Sequence, residues 1–218
     1  MRTVIAGGHG QIALRLERLL AARGEEVAGI IRNPEQADDL VTAGAEAVVL
    51  DLESVSADEL ATALRGADAV VFAAGSGPGS TAERKETVDR AGAELLAEAA
   101  EKAGVRRYVI ISSMGADSAH EGDEIFDVYL RAKGAADDAV RARSALDWTV
   151  LRPGALTNDA GTGLVELAEK TGRGSVSRDD VAAVIAELLG APGAAGLTLE
   201  LIGGTTPVAD AVRAVAGG

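Results

Sequence analysis

The sequence predicts an α/β fold, in which a doubly wound parallel sheet is covered by helices on both faces. Short runs of Val, Ile, Ala and Leu alternate with segments whose apolar residues recur at helical spacing. The runs are apolar on both faces, which is typical of strands buried in a parallel sheet. Hydrophobic residues form 47% of the 218-residue chain, and no repeat or linker interrupts it. A single domain over residues 1–218 is therefore expected.

The predicted elements alternate along the chain. The apolar runs expected to form strands are Thr3–Ala6, Val27–Ile31, Ala47–Leu50, Ala69–Ala73, Tyr108–Ile111, Thr149–Leu151 and Leu197–Ile202. The expected helices are Gln11–Arg23, a helix that follows Asn33-Pro34, Ala57–Arg65, Glu83–Ala103, Ile125–Arg143, Leu164–Lys170, Asp179–Leu189 and Val208–Val215. Asn33 is expected to be an N-cap, with Pro34 at the first helical position. The glycine-rich segment Gly75–Ser80 is expected to be a flexible loop inside the fold.

The composition excludes several classes of function. The net charge is −13, from 34 acidic and 21 basic residues, and this sign repels nucleic acids and anionic lipid. A phosphate-bearing ligand must therefore be captured by local geometry. The chain has no cysteine, and its two histidines, His9 and His120, lack ligand spacing, so neither a disulfide nor a metal site is expected. The N-terminal apolar run is too short for a signal peptide, and no membrane-length apolar stretch follows it. A soluble, cytoplasmic protein is expected.

A glycine-rich loop, Gly7–Ala13, joins the first predicted strand to the first helix. Gly7 allows a tight turn, Gly10 lets the backbone approach a pyrophosphate, and Ala13 lets helix and strand pack closely. The phosphates would lie at the helix N-terminus, where free N–H groups and the helix dipole favour negative charge. A plain turn has a similar sequence, but the strand before it and the alternation after it favour dinucleotide binding. His9 is expected to contribute its backbone.

The ends of the second and third strands indicate which dinucleotide is bound. Arg32 ends the second strand, where an NAD enzyme carries an acidic residue for the ribose hydroxyls. An arginine there can pair with the 2′-phosphate, so NADP(H) is expected in preference to NAD(H). The alternative is a solvated arginine at a strand end. Asp51 closes the third strand, and it either accepts a bond from the adenine amino group or forms a turn.

Tyr129 and Lys133 are the candidate catalytic residues. They are four positions apart, which places them on one face of a helix. An ammonium group beside a phenol favours the phenolate and lowers its pKa. Such a tyrosine can exchange a proton with a carbonyl or alcohol while hydride moves to or from a nicotinamide, and Ser113 would orient that oxygen. The alternative is a half-buried helix tyrosine that only closes the cleft.

Taken together, these motifs resemble the short-chain dehydrogenase/reductase superfamily, in its atypical, NmrA-like NAD(P)-binding branch. The resemblance covers essentially the whole chain and implies a Rossmann fold and a nicotinamide cofactor. It is much more specific for fold and cofactor than for the reaction. The segments that carry it are Gly7–Ala13, Arg32-Asn33-Pro34, Asp51-Leu52, Ala73-Ala74-Gly75, Asp89-x-x-Gly92, Val109–Ala116, Tyr129-x-x-x-Lys133 and Leu151–Gly154.

The resemblance also implies a role for each matched position. The cofactor-binding residues would be Gly7, Gly8, His9, Gly10, Gln11 and Ile12 at the pyrophosphate, Arg32 and Asn33 at the 2′-phosphate side, Asp51 and Leu52 at the adenine, Ala73, Ala74 and Gly75 at the ribose, and Ser112, Pro153 and Lys133 at the nicotinamide and its ribose. The catalytic residues would be Tyr129 as acid or base, Ser113 as its partner, and Lys133.

Three functions fit these motifs. The first is an NADP(H)-dependent oxidoreductase that acts on a small carbonyl, quinone or flavin-like acceptor. The second is a non-catalytic NADP(H) sensor that binds a protein partner, and the third is an epimerase or dehydratase. The complete set Ser113, Tyr129 and Lys133 favours an enzyme, although the interval from Ser113 to Tyr129 is long, at 16 residues. Only 65 residues follow Pro153 (218 − 153), so a small substrate-side region within about 154–178 is expected, too small for a sugar-nucleotide epimerase.

Overall fold

The computed structural model describes residues 1–77 and 79–217, so Pro78 of the predicted loop and Gly218 lie outside the described residues. The strands are β1 (Arg2–Ala6), β2 (Glu26–Ile31), β3 (Glu46–Val49), β4 (Ala69–Phe72), β5 (Arg107–Ile111), β6 (Asp147–Pro153), β7 (Ala155–Thr157), β8 (Leu164–Ala168), β9 (Ser175–Ser177), β10 (Leu197–Gly203) and β11 (Thr206–Pro207). The helices are α1 (Gln11–Ala22), α2 (Ala37–Thr42), α3 (Ala57–Ala63), α4 (Ala82–Arg84), α5 (Gly92–Ala103), α6 (Ile125–Arg141), α7 (Arg178–Leu189) and α8 (Val208–Ala216). A π-helical segment, Lys85–Ala91, joins α4 to α5.

The strands form a large sheet in the order β11-β8-β10-β6-β5-β4-β1-β2-β3. Every pairing from β10 to β3 is parallel, whereas β8 runs antiparallel to both β10 and β11. The order β3-β2-β1-β4-β5-β6 is that of a Rossmann sheet, in which the chain reverses its direction of growth beside β1. The predicted doubly wound α/β fold is therefore confirmed. Ligands of such sheets bind at the carboxyl ends of the strands beside this reversal.

Both faces of the sheet are buried, because successive side chains of a strand point to opposite faces. On one face, Ile5, Val71 and Val109 pack in a cluster that includes residues of α1 and α7. On the other face, Val4 and Val70 pack in a second cluster that includes residues of α3, α5 and α6. Full burial of each Val, Ile or Leu side chain contributes about 1.5–3 kcal/mol to stability. These two layers hold the strand ends, and the loops that follow them, in fixed positions.

The region after Pro153 differs from the prediction. The helix predicted over Leu164–Lys170 is wrong, because this segment is the strand β8. Val165 and Leu167 are buried, and the residues between and before them are exposed, which is the period-two pattern of a strand with one covered face. Pairing with β10 and β11 supplies its backbone hydrogen bonds. The short strands β7, β9 and β11 were not predicted either.

The remaining elements agree with the prediction, with two local differences. Asn33 is an N-cap whose side chain accepts a hydrogen bond from the Glu35 amide, but the helix begins with a 3-10 turn at Pro34–Gln36. The long helix predicted over Glu83–Ala103 contains the π-helical segment. Over the residues that the structure describes, no helix is long and apolar enough to cross a membrane.

Candidate functional site

A cavity of about 300 Å³ lies at the carboxyl ends of β1, β2, β3 and β4, beside the reversal of strand order. Its lining residues are Gly7, His9, Gly10, Ile30, Ile31, Arg32, Asn33, Gln36, Leu50, Asp51, Leu52, Glu53, Ala73, Ala74, Gly75, Arg84 and Val88. The structure therefore brings together most of the predicted cofactor residues. Gly8, Gln11, Ile12, Ser112, Lys133 and Pro153 do not line this cavity. The lining residues that were not predicted as cofactor ligands are Ile30, Ile31, Gln36, Leu50, Glu53, Arg84 and Val88.

The glycine loop packs closely between β2 and the segment that follows β4. The amides of Gly7 and Gly8 both donate to the carbonyl of Ile30, at 3.1 and 2.9 Å. Gly7 has a φ of +83°, and a Cβ there would lie 2.5 Å from the Cα of Ala74. A Cβ at Gly8 would lie 2.7 Å from the Cα of Gly29. Both positions therefore require glycine, Gly7 for the turn and Gly8 for the close approach of the loop to β2.

Gly10 brings the start of α1 to the cavity. It is the N-cap of α1, and no side chain caps the first-turn amides, which have no partners within the helix. A Cβ at Gly10 would lie 3.0 Å from the Gly7 carbonyl oxygen, a tight contact. Bare helix amides and the positive end of the helix dipole suit a phosphate group. Gln11 and Ile12 are the first residues of α1, behind this end of the cavity.

The cavity wall near Asp51 is shaped by a turn. The Asp51 carboxylate accepts a hydrogen bond from the Glu53 amide at 3.0 Å, so Asp51 does form a turn. It also lines the cavity together with Leu52. The His9 imidazole lies 2.7 Å from an Asp39 carboxylate oxygen, a contact that sequence reasoning did not predict.

Two arginines share one carboxylate at this cavity. Arg32 and Arg84 donate to the same oxygen of Glu53, at 3.0 and 2.9 Å. Thr87 donates to the other oxygen at 2.6 Å. The hydrogen bond from Thr87 is the main cause that lowers the pKa of Glu53 below its ordinary value, and the two arginines add to it. The Glu53 carboxylate is therefore charged, and the side chains of Arg32, Glu53 and Arg84 form one ionic group.

A second polar cluster lies at the carboxyl ends of β5 and β6. The Lys133 ammonium is buried and donates to the Ile111 carbonyl at 2.6 Å. Ser112 donates to the buried carboxylate of Asp137 at 2.8 Å. The Pro153 carbonyl accepts from the Met114 amide at 3.0 Å, which joins the end of β6 to the loop after β5. The predicted nicotinamide-side residues are therefore close together, and Asp137 is an addition to them.

The expected lowering of the Tyr129 pKa by Lys133 is wrong. Burial raises the pKa of the phenol to about 12, and the nearby Ser113 hydroxyl offsets this only in part. The hydrogen bond that the Ser113 hydroxyl itself donates goes to the Met114 carbonyl, at 3.3 Å. The Lys133 ammonium bonds a backbone carbonyl, and the nearby carboxylates of Asp89 and Asp137 attract it. The same two carboxylates disfavour a phenolate at Tyr129. The phenol is therefore held in its protonated form.

A second lysine faces the Tyr129 ring. The Lys85 ammonium lies 5.1 Å from the ring centroid and donates to the Gly77 carbonyl at 3.1 Å. It belongs to the π-helical segment, a distortion found often at functional sites. Asp89 of the same segment accepts from the amide and hydroxyl of Ser76, at 3.1 and 2.7 Å. The segment therefore ties the loop after β4, on the cavity side, to the cluster around Tyr129.

Asp137 is held by Arg152, a residue that sequence reasoning did not single out. The guanidinium donates twice to one carboxylate oxygen, at 2.9 and 2.8 Å, and the other oxygen has no hydrogen-bond partner among the residues that the structure describes. Burial raises the pKa of Asp137, and Arg152 opposes this shift. No sequence pattern connects these two residues, since only the pairing of β5 with β6 beside α6 brings them together.

Comparison with known proteins supports a nicotinamide cofactor at this site. A family model described as NAD(P)H-binding matches residues 7–192. The sugar epimerase YhfK of Bacillus subtilis, named as uncharacterized, is 37% identical over 98% of this chain and 99% of its own. A Bacillus halodurans structure, named as a candidate NAD-dependent epimerase/dehydratase, is 38% identical, with a TM-score of 0.90 over 98% of this chain and 99% of its own.

A third similar structure is ChuY, an anaerobillin reductase of Escherichia coli O157:H7. It is 26% identical, with a TM-score of 0.78 over 93% of this chain and 97% of its own. These matches confirm the resemblance to atypical short-chain dehydrogenase/reductase proteins. The glycine cradle, the bare start of α1 and the cavity at the strand reversal fit the cofactor that the family binds. The chain belongs to the NAD(P)H-binding family.

Proposed function

We propose that the protein is an NADP(H)-dependent reductase whose acceptor is a small carbonyl, quinone or flavin-like molecule. The observation that carries this proposal is the protonated Tyr129 phenol, which lies beside Ser113 and one helical turn from the buried Lys133. When bound, NADPH supplies the hydride. A reduced carbonyl or quinone oxygen needs a proton as well, and this chain offers one at the Tyr129 hydroxyl.

The pKa of Tyr129 favours reduction over oxidation. A phenol with a pKa of about 12 is protonated at neutral pH, so it serves as a proton donor rather than as a base. Ser113 would orient the same oxygen of the substrate. Oxidation of an alcohol would need the phenolate, which burial and the carboxylates of Asp89 and Asp137 disfavour.

The charge of the second cluster supports the same direction. The cluster contains the basic side chains of Lys85, Lys133 and Arg152 and the acidic side chains of Asp89 and Asp137. Burial lowers the pKa of Lys133 and raises the pKa of Asp137. Basic side chains around a substrate oxygen stabilise the negative charge that it gains in the transition state. They also suit an acceptor that is anionic from the start. Lys133 would bind the ribose of the nicotinamide, as the resemblance implies.

The preference for NADP(H) over NAD(H) rests on the arginines. Arg32 lines the cavity at the end of β2, and Arg84 reaches the same place from α4. Two guanidinium groups suit the dianionic 2′-phosphate, for which a ribose hydroxyl is a weak substitute. Glu53 is the competing feature, because an acidic residue there could instead accept the ribose hydroxyls of NAD(H).

The names of the similar proteins point in two directions. ChuY, named as a reductase, supports the proposal. YhfK and the Bacillus halodurans protein carry epimerase names. An epimerase needs a base that removes a hydrogen from its substrate, whereas Tyr129 is held protonated. The short region after Pro153 also offers little room for a sugar nucleotide, so reduction is the better-supported function.

The test is NADPH consumption with a panel of carbonyls, quinones and flavins, with UDP-sugars assayed in parallel for epimerisation. We expect turnover with at least one acceptor, faster with NADPH than with NADH. NADPH binding without turnover on any acceptor would favour the non-catalytic sensor. Conversion of a UDP-sugar without net NADPH consumption would favour the epimerase.

A further inference from the structure

The ionic group formed by Arg32, Glu53 and Arg84 has no evident structural purpose at the cavity. Arg32 and Glu53 are 21 residues apart and Glu53 and Arg84 are 31 apart. Arg32 follows β2, Glu53 lies in the turn after β3, and Arg84 is the last residue of α4. The side chains of Arg32 and Arg84 are 55% and 37% exposed, and exposed ion pairs contribute little to stability, about 0–1 kcal/mol. The group nevertheless converges on one carboxylate oxygen beside the cavity. Its position therefore points to a ligand.

The geometry leaves most of the donor capacity of the two arginines unused. Each guanidinium has five N–H groups, and each gives one hydrogen bond to Glu53. Two arginines and one carboxylate leave one net positive charge. A 2′-phosphate carries more charge and more acceptor oxygens than the carboxylate does, so it competes well for the same donors. The carboxylate itself is repelled by a phosphate at that place.

We propose that Glu53 occupies the place of the 2′-phosphate between Arg32 and Arg84, and that NADP(H) binding exchanges the carboxylate for the phosphate. Arg84 is then a second 2′-phosphate ligand, which the glycine-loop motif does not reveal. Glu53 is a specificity residue that restrains both arginines and lowers the affinity for any 2′-phosphate. This inference rests on the proposed NADP(H) function and deepens its cofactor site.

The test uses three nucleotides that differ only at the ribose: adenosine 2′,5′-bisphosphate, adenosine 3′,5′-bisphosphate and AMP. Dissociation constants are measured by calorimetry for the parent and for Arg32→Met, Arg84→Met and Glu53→Gln. Arg84→Met should weaken the binding of adenosine 2′,5′-bisphosphate about tenfold or more and leave the affinity for AMP unchanged. Glu53→Gln should tighten the binding of adenosine 2′,5′-bisphosphate several-fold, because it removes the competing charge. The affinity for AMP should again be unchanged.

Two further variants act as checks. Thr87→Val removes the hydrogen bond that positions Glu53, and it should tighten adenosine 2′,5′-bisphosphate in the same direction as Glu53→Gln. Arg90→Met is the matched control, because Arg90 pairs with Glu86 and Glu94 and does not line the cavity. Its dissociation constants should equal those of the parent. Thermal unfolding midpoints of all variants show that each is folded.

The outcomes separate the inference from the function on which it rests. If the parent binds the 2′,5′-bisphosphate no tighter than the other two nucleotides, the NADP(H) preference itself is wrong. If the parent shows the preference and Arg32→Met removes it, but Arg84→Met binds like the parent, the Arg84 assignment is overturned and the NADP(H) site stands. If Glu53→Gln weakens AMP, Glu53 binds the ribose hydroxyls and the exchange is overturned.

Discussion

Glu17 carries a carboxyl group in a buried environment next to the glycine loop. Its side chain is fully buried on α1, and neither carboxyl oxygen has a hydrogen-bond partner within residues 1–77 and 79–217. A Cβ at Gly29 would lie 2.6 Å from one of these oxygens, and a Cβ at Gly8 would lie 3.1 Å from it. Burial raises the pKa of Glu17 to about 8, and Arg18 offsets this in part. An unpartnered buried acid costs stability whenever it is charged.

We expect Glu17→Leu to stabilise the protein at alkaline pH. The folded state favours the neutral acid, so the free energy of unfolding of the parent falls as the pH rises from about 4.5 through about 8. Leucine removes that loss, which is roughly 5 kcal/mol above pH 8 by linkage. Thermal unfolding from about pH 5 to about pH 9 measures it. The exposed Glu26→Gln serves as control and should follow the parent, whereas a Leu variant that loses stability as steeply as the parent would contradict this assignment.

Tyr129→Phe tests the proton donor. The substitution keeps the ring, which stacks on Phe126 with centroids 5.9 Å apart, and removes only the hydroxyl. Affinity for NADPH should barely change, and turnover on a carbonyl or quinone should fall by about 10²–10⁴. Steady-state kinetics and nucleotide titration measure the two effects. Undiminished turnover would mean an acceptor, such as a flavin, that needs no acid from the protein.

At the scale of elements, the loop from β1 to α1 works as one unit. Gly10 is the N-cap of α1. In Gly10→Val, the added Cβ would lie 3.0 Å from the Gly7 carbonyl oxygen. The N-cap backbone is extended, with φ −65°, so valine is tolerated there and the fold should persist. Phosphate approach should be blocked, and NADP(H) should bind at least tenfold more weakly. The measurement is nucleotide titration of the folded variant.

Gly7→Ala is the contrasting variant in the same loop. The φ of Gly7 is positive, and the added Cβ would lie within 3 Å of the Ala74 backbone. Here the thermal midpoint itself should fall, because the backbone of the loop has to move. If Gly10→Val binds NADP(H) like the parent, the loop does not hold the pyrophosphate.

Elements with one strong sequence period were predicted well, and ambiguous ones were not. The strands of the parallel sheet are continuous apolar runs, and α1, α5 and α6 carry helical spacing, so their sequences allow one interpretation. Leu164–Ala168 contains apolar residues that fit either period. Tertiary pairing with β10 and β11 decides in favour of a strand. The π-helical segment has no sequence pattern of its own, and packing against α6 accompanies it.

At the scale of the whole molecule, the site residues that could be predicted are those whose positions follow from the order and direction of the strands. Parallel strands end at one edge, so residues that follow them, such as Gly7, Arg32 and Asp51, meet there whatever the details. Glu53 and Arg84 were missed because their pairing depends on the path of two loops. Lys133 was predicted beside Tyr129, but the Ile111 carbonyl holds its ammonium. Charge partners of buried groups are set by tertiary contacts that a single sequence does not display.

Cofactor binding should stabilise the whole domain, because the cavity draws on the ends of β1, β2, β3 and β4 at once. A ligand that binds only the folded protein adds RT ln(1 + [L]/Kd) to the free energy of unfolding. NADP(H) should therefore raise the thermal midpoint more than NAD(H) does at equal concentration. Arg32→Ala should remove most of this difference without lowering the midpoint of the protein alone, since the Arg32 side chain is 55% exposed. Equal shifts for the two nucleotides in the parent, or an unchanged difference in Arg32→Ala, would refute the proposed role of Arg32.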